Sequence, residues 1–197
     1  MIRSLICFVF ISLSTHGQIC LHKNLSKSFN YNIRFQRENE NSCKIKVTII
    51  DKTSQKNLQT VVVNSEYIFE KDFNNCSTVR SYITGINENR DSIDNDFGDF
   101  IVADFNFDGK EDFAVKSDSG GNGGPIYEYY IQGKNQKFER DKFLTDTVAF
   151  FPTSINKSKK TLTTLVHANA NERCKLIYKY DLKIKKWKLV SKSFVKY

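Results

Sequence analysis

The chain has 197 residues, 40% hydrophobic and 13% aromatic, with only two prolines; this is enough apolar material for one packed domain and too much for a disordered chain. Its +8 formal charge is unevenly placed: residues 88–118 hold ten acids against three bases, leaving the window at −7 and the rest of the chain at +15. The lysines are spread along alternating strands and turns rather than run together, which argues against a nucleic-acid partner and for a solvated surface.

The N-terminus reads as an export signal. Arg3 gives a positive start, and Leu5–Leu13 is an apolar run too short to span a bilayer. Thr15-His16-Gly17 places small residues at −3 and −1 of a cut after Gly17. The expected organisation is a signal peptide over 1–17 and one domain over 18–197, periplasmic or secreted, with no membrane span. Cys20, Cys43, Cys76 and Cys174 then remain in an oxidising compartment, so two disulfides are expected with every pairing open. No closely spaced Cys pair suggests zinc.

The dominant hydrophobic period is two. Ile45, Val47 and Ile49 alternate with Lys44, Lys46 and Thr48. Residues 47–61 form the first expected hairpin, two β-rich runs around a polar turn. Residues 71–82 suit one short helix, and 85–99 a polar loop. Residues 127–141 and 176–190 repeat the hairpin design, their second runs opened by Phe138 and Trp187. In the last, Leu176, Tyr178 and Tyr180 face one way while Lys175 and Lys179 face the other. The expected fold class is all-β and antiparallel, a propeller-like or sandwich single domain built of hairpins.

The sharpest motif is ADFNFDGKEDFAV at 103–115. Asp104, Asn106 and Asp108 alternate, Gly109 permits a sharp turn, Lys110 offers a carbonyl, and Asp112 adds a carboxylate. Residues two apart in a tight loop can aim their oxygens at one centre, and an all-oxygen set without His or Cys favours Ca2+. An EF-hand needs a glutamate where Val115 stands and helices on both sides, so this is a strand–loop–strand site. Three carboxylates about 5 Å apart repel by roughly 3 kcal/mol per pair at an effective dielectric near 20, a cost that a cation relieves. Phe105 and Phe107, between the ligands, are expected to anchor the loop in the core.

Directly afterwards, SDSGGNGGPIYEYYI carries Gly120, Gly121, Gly123 and Gly124 in what reads as a long exposed loop. No helix start or P-loop lysine follows it, which excludes a phosphate cradle. DFNFDGKEDFAV resembles the calcium loops of FG-GAP repeats. Together with SDSGGNGGPIYEYYI it resembles a family of bacterial periplasmic inhibitors of lysozyme-like peptidoglycan hydrolases, some of them immunity proteins. The match is close over about 103–132 and rests elsewhere on β content. That resemblance implies a Ser-Gly…Tyr loop entering the hydrolase cleft, carried by Ser119, Gly120 and Tyr127. The implied partner is a lysozyme-like glycoside hydrolase, and the implied mechanism is occlusion of its paired carboxyl groups rather than catalysis. His22 and His167 lie near no nucleophile motif, so no enzyme activity is expected. The main alternative is an FG-GAP-like glycan-binding or adhesion module.

Overall fold

The computed structural model describes residues 18–197; the expected signal peptide lies outside the described residues. Among the described residues thirteen strands form three sheets in chain order. β1 (Gln18–His22), β2 (Phe29–Arg37), β3 (Cys43–Asp51) and β4 (Asn57–Ser65) make an antiparallel meander. β5 (Val79–Ser81), β6 (Phe100–Ala103), β7 (Asp112–Gly121), β8 (Gly124–Gln132) and β9 (Phe138–Arg140) make the second sheet. There β5 and β6 run parallel and the other pairs antiparallel. β10 (Ser154–Asn156), β11 (Thr161–Asn169), β12 (Glu172–Asp181) and β13 (Lys186–Lys196) make a second meander. The all-β expectation holds, and all three hairpins form at the expected places.

The second sheet is buried on both faces, which is why its strands read as unbroken apolar runs rather than alternations. Phe100, Val102, Phe113 and Val115 pack against Tyr31, Ile45, Val47 and Val63 of the first sheet. Their neighbours Ile101, Ala103 and Ala114 point oppositely, toward Leu162, Tyr178 and Trp187 of the third. Aromatic side chains fill both interfaces: Phe100 stacks on Phe113 at 5.3 Å on the first-sheet side, and Phe105 meets Phe151 edge-on at 5.9 Å on the other.

Three local expectations fail. Residues 71–82 form turns followed by β5 rather than a helix: Phe73 takes a left-handed φ of 56°, and its amide donates to Asp99. The glycine-rich stretch is no long loop but the tip of the β7–β8 hairpin, with Gly121 paired to Gly124 across Asn122-Gly123. Its glycines answer to space: a Cβ on Gly120 would fall 1.9 Å from the Gly124 carbonyl oxygen. Finally, Cys20 bonds to Cys76, tying β1 to the segment before β5, while Cys43 and Cys174 form no disulfide among the described residues. The latter two stand on different sheets, β3 and β12, so the sheet assignment keeps that pair apart.

Candidate functional site

The Asp104–Asp112 loop joins β6 to β7, entered from buried Ala103 and left through buried Phe113. Phe105 and Phe107 are buried as expected, Phe105 edge-on to Tyr129 at 5.1 Å and Phe107 against Trp187 at 6.0 Å. The oxygen-bearing side chains hold the turn that follows Phe107. Asp104 accepts the amides of Asp108 and Gly109, each at 3.0 Å. Asn106 accepts Asp108 N–H at 3.1 Å, and Asp108 accepts Lys110 N–H at 2.9 Å. Gly109 has a φ of 84°, the left-handed conformation its place in the motif called for.

Asp112 is fully buried; its two oxygens accept Phe105 N–H and Gln132 N–H, both at 2.8 Å. Burial pushes its carboxyl well above the usual carboxylate range, and Asp108 and Asp104 push the same way against those two hydrogen bonds. Asp104 is raised too, chiefly by burial. Among the described residues the loop has one ion pair, Lys110 to Asp108 at 3.7 Å. Also among the described residues, no three His, Cys, Asp or Glu side chains are gathered as a metal centre, the loop carboxylates being turned onto backbone amides. The donor set nevertheless fits a hard divalent cation: every side-chain donor is an oxygen, and the buried Asp112 charge has no ammonium or guanidinium partner within the loop.

Glu111, absent from the motif reading, is buried and reaches back to the first sheet. It accepts the Ser26 hydroxyl, Lys27 N–H at 2.8 Å and Ser28 N–H at 3.2 Å. The loop is thus tied to the β1–β2 connection.

The residues expected to meet a partner have a different surrounding. Tyr127 is 0% exposed, in the core between the second and third sheets. Its hydroxyl donates to Gly98 O at 3.0 Å and accepts Phe97 N–H at 3.3 Å. A ring so placed is a core residue and cannot fill a sugar subsite, because exposing it would take β8 out of the sheet. Ser119 is buried as well; it donates to Asp72 and accepts Phe69 N–H at 2.7 Å. Gly120 is partly exposed, its amide held by Asp118 at 2.6 Å. Ser119 and Gly120 do line a cleft of about 710 Å³, together with Asp91, Asp94 and Asn122, which are exposed on its rim.

At the cleft floor Lys116, 1% exposed, meets Asp72 at 3.0 Å and both Asp96 and Asp99 at 2.9 Å. Burial alone would lower the ammonium's pKa; Asp99, Asp96 and Asp72 overcome it and hold Lys116 charged, above its ordinary value. Asp72 links this cluster to Ser119. Sequence reasoning missed the cluster, although one signal was there: a lysine at the end of the buried run Phe113-Ala114-Val115, inside the most acidic window of the chain.

No protein-family model matches the chain. No curated protein matches it either. A solved structure described as a Xanthomonas type IV secretion system related protein is similar over 93% of this chain and 84% of that one, with a TM-score of 0.60 and 14% identity. That likeness is one of fold.

Proposed function

We propose that this chain is an exported, calcium-binding inhibitor of lysozyme-like peptidoglycan hydrolases, acting by occlusion and not by catalysis. The observation that carries the reading is the course of β7. It starts at Asp112 in the calcium loop and ends at the Gly120–Gly124 tip beside the acidic cleft. One strand therefore connects the motif that resembles FG-GAP loops to the motif that resembles the inhibitor family. The Cys20–Cys76 disulfide is compatible with an oxidising compartment. The fold shared with a secretion-system-related protein supports a setting outside the cytoplasm.

Asp104, Asn106, Asp108, Asp112 and the Lys110 carbonyl would hold the ion, which would supply positive charge where Asp104 and Asp112 are desolvated. The ion does not touch the partner. A ten-residue strand at about 3.3 Å per residue puts roughly 30 Å between the loop and the hairpin tip. Its role is to fix the root of β7, while Asp72, Ser119 and the Asn95 side chain (3.1 Å from Gly123 O) fix the tip. The partner-facing groups are then Gly120, Gly121 and Asn122 with the acidic rim Asp91 and Asp94. This local negative face suits a basic hydrolase despite the chain's overall positive charge. Ser119 acts as a positioning residue beneath it, and Tyr127 belongs to the core.

The test is clearing of a cell-wall suspension by a panel of lysozymes, with and without the protein. Slowing of at least one enzyme that is relieved by Asp91→Lys/Asp94→Lys supports the reading. Retention of the protein on peptidoglycan beads with no enzyme slowed would favour the glycan-binding alternative.

A further inference from the structure

The lysines that look dispersed along the sequence are gathered by the β12–β13 register. Residues 172–197 carry nine bases against two acids. On β12, Arg173, Lys175 and Lys179 share the face opposite Tyr178, and on β13 Lys188 stands directly across from Lys179. Like charges directly opposed on neighbouring strands destabilise the sheet. Among the described residues none of the nine bases is in an ion pair. Asp181 and Glu172 stand across from Lys186 and Lys196 without closing an ion pair, so among the described residues the hairpin keeps a large excess of positive charge.

At the hairpin tip the sequence is Asp181-Leu182-Lys183-Ile184-Lys185-Lys186. Leu182 is 48% exposed and Ile184 is 64% exposed. The tip is ordered: the Asp181 carboxylate accepts Lys183 N–H at 2.9 Å and Ile184 N–H at 3.4 Å. Lysines alone on β13 would serve as solubilising guards of an open edge strand. Two aliphatic side chains held out at the tip among Lys183, Lys185 and Lys186 do not serve that purpose.

We propose that the β12–β13 hairpin is a membrane-docking edge that binds the surface of an anionic lipid bilayer. Leu182 and Ile184 enter the acyl boundary, while Lys183, Lys185, Lys186 and Lys188 meet the headgroups. The charge complementarity is that of a polybasic patch with an apolar insert, and both aliphatic side chains stand exposed on a turn. No residue of β12 or β13 lines the acidic cleft, so docking leaves the cleft free.

The experiment is co-sedimentation of the full chain, as exported by the expressing cell, with phosphatidylglycerol-containing or pure phosphatidylcholine vesicles. Binding to the phosphatidylglycerol vesicles only, weakened by salt, is expected. Leu182→Ser/Ile184→Ser should weaken it by about tenfold or more. Lys183→Glu/Lys185→Glu should weaken it by at least about tenfold as well. Both variants change exposed positions, and an unchanged melting curve checks that they fold. Equal sedimentation with both vesicle types, or none with either, overturns the proposal. So does binding untouched by the Leu182/Ile184 variant, which would mark the patch as a site for a soluble polyanion. No hydrolase enters the assay, so this result and the inhibition result fail independently.

Discussion

Residues 88–118 and residues 172–197 carry opposite charges of equal size, −7 and +7, yet use them in opposite ways. In the first region much of the charge is structural. Asp99, Asp96 and Asp72 surround Lys116, Asp104 and Asp112 hold backbone amides, and Glu111 holds the β1–β2 connection. In the second, the cations stand on a sheet and a turn, and among the described residues none of them closes an ion pair. Charge density along a sequence thus does not tell a fastening from a surface; the burial of the strand beneath it does.

The comparison breaks first at Lys116. Lys116→Ala leaves three carboxylates without their shared cation, and a loss of about 3–5 kcal/mol in urea unfolding is expected. A loss below about 1 kcal/mol would mean that the cluster is solvated and the first region resembles the second. Next is the Asp104–Asp112 loop. Chelation should lower the melting temperature by several degrees, and Asp108→Ala should remove that dependence; an unchanged melting curve with EDTA would sink the site.

Tyr127→Phe removes the hydroxyl shared by Gly98 and Phe97, so about 1–2 kcal/mol of stability should be lost with hydrolase inhibition per folded molecule unchanged. Loss of inhibition without loss of stability would return Tyr127 to the partner surface.

The two free thiols sharpen the contrast between core and hairpin. Burial pushes the Cys43 thiol up to about 11, above the pull of Ser65 and Arg37, so little thiolate is present near pH 8. Iodoacetamide should leave Cys43 unmodified in the folded protein and modify it on unfolding, whereas the half-buried Cys174 on β12 should react first. Smallest of all is Lys179→Glu on the basic face, where a stability change within about 0.5 kcal/mol is expected from thermal melts.

Much of the fold was legible before the structure. Period-two runs marked β3, β12 and the three hairpins because one strand face meets the core and the other meets water. Phe105, Phe107 and Gly109 of the Asp104–Asp112 loop were legible for the same local reason: each has a role fixed by its immediate neighbours. The cleft was not legible. Asp72, Asp96, Asp99 and Lys116 come together through the pairing of β6 with β7 and the turn at Phe73, contacts between segments far apart in sequence. Tyr127 shows the other side of that limit. Its place in a Ser-Gly…Tyr string gave no sign of which face of β8 it occupies, and the register put it inward. The disulfide was of the same kind, since Cys20 meets Cys76 only once the first sheet packs on the second.

The most direct measurement is the rate of cell-wall clearing by a panel of lysozyme-like enzymes as the protein is added in calcium-containing buffer. The account predicts that at least one enzyme slows as protein approaches equimolar amounts, and that Asp91→Lys/Asp94→Lys abolishes this with the melting temperature unchanged. Full-rate clearing by every enzyme at a large excess of folded protein would contradict it.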